Sequence, residues 1–251
     1  MPSEPDQSPV NQAQPPTRDG GPVYKETPLD PTLVRIAEPC NTITASFFIL
    51  IVAVWFWRLR GRYRQYPFIT CCMPILLIGG IGGTLYHALR TETIWMLMDV
   101  IPIGLLGGLG SSYLAIRLGK IYGLGWMLAA AVGLLGIYLV VNAFVLPLFE
   151  FPGNWKINLN YALLAVILLV PVAVVMVRTR FRDGAWIAGS LLSFGIAWFC
   201  RLMDNSPWVP VNAPWADLPM GTHWLWHTFG AITTCGIIEY FYRIEGKPLK
   251  S

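Results

Sequence analysis

Two histidines stand four residues apart in the stretch 221–228, near the end of the sequence. At this spacing both imidazoles fall on one face of a helix, one turn apart. The sequence has three histidines, and the third, His87, ends an earlier apolar stretch. Three neutral imidazoles suit Zn²⁺, and catalytic zinc sites combine three protein ligands with an open fourth position. His87, His223 and His227 therefore predict a zinc site.

A hydrolytic zinc site also needs a group that moves protons. The stretch with two histidines lacks the glutamate of the His-Glu-x-x-His motif of zinc proteases, because position 224 is tryptophan. Asp99 is the nearest acidic candidate, since it lies near the start of the apolar stretch that follows His87. We expect Asp99 to act as the general base of the predicted zinc site.

Histidines on membrane helices also bind haem, so a haem electron carrier is an alternative. His223 and His227 lie one turn apart on one predicted helix and cannot occupy opposite faces of a porphyrin. We therefore favour the metal-ion site. An absorption spectrum without a Soret band would exclude haem.

Composition predicts a polytopic membrane protein. Hydrophobic residues make up 55 % of the chain, charged residues make up 13 %, and the mean hydropathy is +0.52. A soluble fold of this size could not cover so much apolar surface. Seven apolar segments have the roughly 17–25 residues that a membrane-spanning helix needs. They are 37–57, 67–87, 94–116, 123–147, 158–177, 184–203 and 222–242. The predicted fold is an all-α membrane protein, a seven-transmembrane-helix bundle.

The basic residues predict the orientation of this bundle. Most of them follow the first, third, fifth and seventh segments, whereas the second, fourth and sixth loops with their flanks hold only Arg90, Lys156 and Arg201. The positive-inside rule places the C-terminus in the cytoplasm and the N-terminus outside. The predicted site then faces the outside, which is the periplasm or an organelle lumen. The net charge of +4 lies mainly in these loops, so no nucleic-acid partner is predicted.

The chain divides into three predicted parts. Residues 1–30 are rich in proline and polar residues and nearly devoid of aliphatic side chains, which predicts a disordered tail. Residues 31–245 form the predicted seven-helix domain. Residues 246–251 form a short cytoplasmic tail.

The predicted topology brings further polar residues to the side of the membrane that holds the histidines. Glu38 and Asn41 begin the first segment, and Arg201 and Asp204 end the sixth. Polar groups within membrane segments are costly, which indicates a functional role. For Glu38 and Asn41 the sequence leaves open whether they contact substrate, coordinate an ion or tie helices together.

Five stretches together resemble the alkaline ceramidase branch of the seven-transmembrane hydrolase superfamily, which also contains the adiponectin-type receptors. In chain order they are AEPCNT (37–42), TLYH (84–87), MDVIP (98–102), FCRLMD (199–204) and GTHWLWH (221–227). The resemblance covers about residues 35–245, and the wording of the motifs is similar to that of bacterial members. It therefore implies a multi-pass protein of a bacterial inner membrane with its site towards the periplasm. It implies that the three histidines hold a catalytic zinc and that Asp99 handles the proton.

The resemblance also implies a hydroxyl group four residues before His87. That position is Gly83 here, so the neighbouring Thr84 becomes a second catalytic candidate. Alkaline ceramidases carry an acidic, calcium-binding stretch before the first helix, and only Glu38 is clearly retained from it. Calcium is therefore a possible second ion but not a predicted one.

These observations predict an integral-membrane amide hydrolase whose partner is a membrane lipid, either ceramide or a related lipid amide. The alternative is a non-enzymatic seven-helix receptor or scaffold in which zinc is structural. The sequence carries no signature of the oligomeric state.

Overall fold

The structure is a computed structural model, and it describes residues 18–149, 155–204 and 218–249. Of these residues 79 % are helical and none forms a strand, which confirms the predicted all-α class. The helices are α1 (Pro39–Ala45), α2 (Phe47–Leu59), α3 (Pro67–Leu89), α4 (Thr93–Tyr122), α5 (Leu124–Val140), α6 (Trp155–Arg178), α7 (Gly184–Met203) and α8 (His223–Ile244). Short turns are a π-helical turn at Val141–Val145 and 3₁₀ turns at Pro31–Leu33, Tyr63–Gln65 and Leu146–Leu148.

Five helical stretches are long and apolar enough to cross a bilayer. They are Pro39–Leu59, Pro67–Leu89, Thr93–Tyr122, Asn158–Arg178 and Gly184–Met203. Their outer surfaces are apolar, since Leu50, Ile116 and Leu192 are 61 %, 61 % and 69 % exposed. Such a surface is costly in water and suits the lipid interior. The chain is therefore a membrane-embedded protein.

Proline and glycine residues set several helix boundaries. Pro39 and Pro67 stand in the first turns of α1 and α3, where the missing N–H group costs no helical hydrogen bond. Gly123 ends α4 with a φ of 97°, a conformation that favours glycine. Pro39 and Pro67 thus begin helices, and Gly123 ends one.

Helices α7 and α8 pack along a seam of small and hydroxyl-bearing residues. The hydroxyl of Ser193 donates to the carbonyl of Phe229 at 2.7 Å, and the hydroxyls of Ser190 and Thr233 each donate to the other's carbonyl at 3.3 Å. A Cβ atom at Gly236 would collide with the Ser190 hydroxyl. Small residues allow membrane helices to approach closely. Helices α7 and α8 therefore form a tight pair.

Several helix ends meet at one end of the bundle, which we call the histidine end. The backbone N–H groups of Ala37 and Glu38 donate to the carbonyls of Ala88 and His87 at 2.9 and 3.1 Å, which joins the start of α1 to the end of α3. The Asp204 carboxylate joins the end of α7 to the start of α8. At the opposite end, buried apolar residues of α2, α3, α4, α6 and α8 form the core.

The N-terminal segment, residues 18–30, lies across the histidine end. Asp19 is fully buried there and Tyr24 is only 6 % exposed. The prediction of a disordered tail over residues 1–30 is therefore wrong for this segment, while residues 1–17 lie outside the described part of the chain. Ion pairs and hydrogen bonds to the rest of the protein offset the entropy that this segment loses when it becomes ordered. The composition of the segment does not show these contacts.

Candidate metal centre

The three histidines meet at the histidine end, as predicted. His87 comes from the last turn of α3, whereas His223 and His227 come from the first two turns of α8. Each residue offers one ring nitrogen, and these three atoms lie within 4.8 Å of one another. None of the three residues is more than 4 % exposed. The cluster could therefore hold one metal ion.

The unpaired ring nitrogens show that these residues fit a metal. Nε2 of His87, Nδ1 of His223 and Nε2 of His227 are buried without a hydrogen-bond partner among the described residues. Leaving a buried polar atom unpaired costs about 1–3 kcal/mol, so most such atoms find a partner. A shared metal ion would satisfy all three atoms at once. Imidazole donors of this kind suit zinc and several other transition metals.

Glu38 holds the other nitrogen of His87. Its Oε2 atom lies 2.5 Å from His87 Nδ1 and accepts a hydrogen bond from Asn41 Nδ2 at 3.0 Å. Its Oε1 atom accepts a hydrogen bond from the Thr27 hydroxyl at 2.5 Å. A carboxylate on one imidazole nitrogen orients the ring and directs the second nitrogen towards a metal. The structure thus places Glu38 and Asn41, both predicted from the sequence, behind a candidate ligand.

A buried arginine completes the surroundings of Glu38. Arg90 Nη1 lies 3.1 Å from Glu38 Oε1, and Arg90 Nε lies 2.8 Å from Asp19 Oδ2. All three side chains are fully buried. Sequence reasoning missed both Arg90 and Asp19. The sequence could have pointed to Arg90, because it lies in the second predicted loop, where basic residues are scarce. The sequence around Asp19 has no comparable feature.

Tyr24 covers the centre from the N-terminal segment. Its ring stacks on that of His223, with centroids 3.7 Å apart and planes inclined by 16°, and lies 5.5 Å from the His87 ring. Burial raises the pKa of the Tyr24 phenol, against the lowering effect of the Arg201 guanidinium. The phenol is therefore neutral at physiological pH. Sequence reasoning missed Tyr24 because the composition of its segment predicts disorder.

Asp204 fixes the start of α8. Its Oδ1 atom accepts hydrogen bonds from the backbone N–H groups of Thr222 and His223 at 2.8 and 3.0 Å, and its Oδ2 atom accepts one from the backbone N–H group of Lys25 at 3.2 Å. The first N–H groups of a helix lack partners within the helix, so such an acceptor stabilises it. Burial raises the pKa of the Asp204 carboxyl, against the lowering effect of these hydrogen bonds. Asp204 thereby orients the turn that carries His223.

Arg201 lies on the wall of a cavity beside the histidines. Its Nε atom donates to Asn158 Oδ1 at 2.7 Å. Its guanidinium carbon lies 4.9 and 5.1 Å from the ring centroids of Tyr161 and Trp226. Because Asp99 lines the same cavity, the structure places a cation and a carboxyl group in one chamber.

Asp99 lines the cavity together with His223 and His227. Gly83, one turn before His87 on α3, faces it, since a Cβ atom at Gly83 would lie 2.6 Å from Asp99 Oδ1. The absence of a side chain at Gly83 therefore leaves room for the Asp99 carboxyl.

The structure does not support a catalytic role for Thr84. Its hydroxyl donates to the carbonyl of Gly80 at 2.7 Å, one turn earlier in α3. Hydroxyl groups within helices often form this bond to their own backbone. Gly83, one residue before Thr84, faces the Asp99 carboxyl.

An apolar cavity of about 770 Å³ extends from the metal centre into the bundle. Its polar lining at the histidine end includes Tyr24, Asp99, Arg201, His223 and His227. Its apolar lining includes Phe68, Leu106, Leu168, Ile238 and Phe241. Along α8 the cavity reaches from His227 to Phe241, a distance of about 21 Å at the helical rise of 1.5 Å per residue. The volume falls in the range of small-molecule sites, about 300–1,000 Å³.

No family model, curated protein or solved structure matches this chain.

Proposed function

We propose that this chain is an integral-membrane, zinc-dependent amide hydrolase that cleaves ceramide or a related lipid amide into a fatty acid and a sphingoid base. One observation carries the proposal: three buried histidines with unpaired ring nitrogens form a cluster, and two of them, His223 and His227, line an apolar cavity together with Asp99. The sequence resemblance to alkaline ceramidases points to the same chemistry.

His87, His223 and His227 are the residues that would hold the zinc ion. Bound zinc supplies Lewis acidity towards a carbonyl group and a nucleophilic hydroxide at neutral pH. Glu38 orients the ring of His87, and Asp204 orients the first turn of α8. Their hydrogen bonds set the ligand geometry within the protein before any ion binds.

Asp99 is the proposed proton carrier. Amide hydrolysis forms a bond between a water oxygen and the carbonyl carbon and breaks the C–N bond, so one proton passes from water to the leaving amine. Asp99 accepts that proton as water attacks and donates it to the amine nitrogen as the C–N bond breaks. Arg201, on the same cavity wall, stabilises the negative charge that develops on the carbonyl oxygen.

The cavity supports a lipid as the substrate. With the amide group beside the histidines, an acyl chain would lie along the apolar lining towards Phe68 and Phe241. Burying a methylene group contributes about 0.8 kcal/mol. A long chain in this cavity therefore provides much of the binding free energy, while the polar head positions the amide.

We further propose seven membrane spans, which adds α5 with its extension and α8 to the five apolar stretches. Basic residues at the end opposite the histidines support this orientation. Arg58 and Arg243 bind Glu239 there, and Arg117 donates to the carbonyl of Ile244. The positive-inside rule assigns that end to the cytoplasm. The N-terminus and the metal centre then face outside, which in a bacterial inner membrane is the periplasm.

Hydrolysis of a fluorescent ceramide by the purified protein tests the proposal. We expect turnover that is lost on chelation and restored by Zn²⁺. Asp99→Asn should retain zinc and lower turnover at least about 100-fold, the scale of general acid–base catalysis. Asp183→Asn is the matched control, because Asp183 binds Arg243 away from the centre. Full turnover by metal-free protein would contradict the proposal.

The second candidate function is a receptor or scaffold with a structural zinc. It is favoured by Tyr24, whose ring covers His223 at the centre. In that case the purified protein binds zinc but hydrolyses no lipid amide, and Asp99→Asn changes neither property. The same ceramide assay with zinc analysis distinguishes the two functions.

A further inference from the structure

Arg90 is a fully buried cation between two fully buried carboxylates. It follows α3 in the left-handed conformation, with a φ of 53°. Its Nε and Nη2 atoms approach the Asp19 carboxylate at 2.8 and 3.3 Å, and its Nη1 atom lies 3.1 Å from Glu38 Oε1. A buried charge is stable only when it is paired and hydrogen-bonded. Arg90 forms ion pairs with both carboxylates, and its Nη2 atom donates a hydrogen bond to Asp19 Oδ1.

The contacts of Arg90 form a continuous path from the N-terminal segment to a candidate metal ligand. Asp19 binds Arg90, Arg90 binds Glu38, and Glu38 binds Nδ1 of His87. The guanidinium carbon also lies 5.5 Å from the ring centroid of Tyr24. One cation thus contacts both the residue that orients a ligand and the ring that covers the centre.

We propose that Arg90 is a positioning residue that couples the N-terminal segment to the metal centre. It fixes Glu38 on His87 and holds Tyr24 over His223. Loss of Arg90 then loosens one ligand and uncovers the centre at the same time. The coupling rests on the metal centre of the proposed function and is independent of amide hydrolysis.

The contact geometry requires arginine rather than lysine. Two nitrogens of Arg90 face Asp19, Nη1 faces Glu38 and the Tyr86 hydroxyl, and Nη2 donates to the Pro22 carbonyl at 2.9 Å. A guanidinium group has five N–H donors in a planar fork, whereas an ammonium group has three on one atom. Arg90→Lys keeps the charge but reaches fewer partners, so it should give an intermediate phenotype.

Residue Glu26, near the end of the N-terminal segment, is held by separate hydrogen bonds. The Glu26 carboxylate accepts hydrogen bonds from the backbone N–H groups of Cys40 and Asn41 at 2.7 and 3.0 Å, which caps α1. Loss of Arg90 should therefore release residues 18–24 and leave this cap in place. That pattern separates a specific coupling from general unfolding.

The experiment uses Co²⁺ as the probe, because it binds the same imidazole donors and its visible spectrum reports the ligand geometry. Full-length wild type, Arg90→Met, Arg90→Lys and Asp19→Asn are loaded with Co²⁺. Three quantities are measured for each: the visible spectrum, the rate of Co²⁺ transfer to a chelator, and proteolytic cleavage within residues 18–24 by mass spectrometry.

We expect Arg90→Met to shift the Co²⁺ spectrum, to accelerate transfer about tenfold and to expose residues 18–24 to cleavage. Asp19→Asn should act in the same direction, and Arg90→Lys should recover part of the wild-type behaviour. Arg58→Met is the matched control, since Arg58 also pairs with a carboxylate, that of Glu239, but away from the centre. It should leave the spectrum and the transfer rate unchanged.

Wild-type spectra and transfer rates in Arg90→Met and Asp19→Asn would overturn the coupling, even if both variants melted earlier, because Arg90 would then serve only the fold. If Arg90→Met does not fold, Asp19→Asn decides in the same way, since it removes one anion and keeps the cation. A wild type that takes up no Co²⁺ overturns the metal centre itself and the coupling with it.

Discussion

The Nδ1 atom of His87 lies 2.5 Å from the Oε2 atom of Glu38, and both side chains are completely buried. The pairing gives each imidazole nitrogen one task, because Nδ1 faces the carboxylate while Nε2 is left for the cluster with His223 and His227. The protein therefore orients the His87 ring without a bound metal ion.

Glu38→Gln should lower the affinity for zinc about 10–100-fold, the usual effect of losing a residue that orients a metal ligand. The amide keeps the shape of the side chain but removes the negative charge. Competition with a chromogenic chelator measures the affinity. Glu239→Gln is the control, because it removes the same charge at the opposite end, where Glu239 binds Arg58 and Arg243. Equal affinities in the two variants would exclude the positioning role of Glu38.

Gly83→Ala should reduce lipid-amide turnover at least about tenfold while the zinc content stays unchanged. The new Cβ atom would lie 2.6 Å from Asp99 Oδ1 and would displace this carboxyl. General acid–base catalysis by such a group contributes about 10²–10⁴-fold to the reaction rate. Turnover and elemental analysis of one preparation measure both properties. Gly104→Ala is the control, since a Cβ atom there meets nothing within 4 Å. Full turnover in Gly83→Ala would show that Asp99 acts from another position.

Asp204→Ala should destabilise the protein by about 1 kcal/mol, the typical cost of losing a helix cap. The N–H groups of Thr222 and His223 lose their acceptor, so their hydrogen exchange should accelerate more than that of the rest of α8. Thermal unfolding in detergent and hydrogen exchange measure the two effects. Asp30→Ala removes a comparable cap from an exposed 3₁₀ turn and should leave α8 unchanged.

Gly110→Leu should shift the substrate preference towards shorter acyl chains. A Cβ atom at Gly110 would lie 3.2 Å from Leu168 and 3.4 Å from Phe241, so a larger side chain fills the cavity far from the histidines. Losing the burial of two methylene groups, each worth about 0.8 kcal/mol, lowers kcat/KM for long chains about tenfold. Turnover of a ceramide series measures the preference. Gly108→Leu, where no atom lies within 4 Å of the added Cβ, should leave it unchanged.

The helices and the histidine cluster could be predicted because a membrane-spanning helix must have a certain length and contain few polar residues. The predicted segments 67–87 and 184–203 agree with α3 (Pro67–Leu89) and α7 (Gly184–Met203) within two residues. His87 ends one apolar segment and the other two histidines begin another. Because consecutive predicted spans cross the membrane in alternating directions, the end of the second segment and the start of the seventh are expected on the same side.

The N-terminal part of the centre could not be predicted from local composition. Asp19 and Arg90 are 71 residues apart in the chain, so the composition of the segment does not show that these two residues meet. Thr84 is a different case. The sequence places its hydroxyl on a helix, but the bond to the Gly80 carbonyl depends on the side-chain rotamer, which the sequence does not show. A catalytic role for Thr84 stays a prediction.

The metal centre lies between two pairs of joined helices. His223 and His227 belong to the tight pair of α7 and α8, whereas His87 belongs to α3, which is joined to α1. A metal ion held by all three would join the two helix pairs at the histidine end, while the apolar core joins the helices at the opposite end. Metal binding would then contribute to the stability of the bundle as well as to the chemistry of the centre.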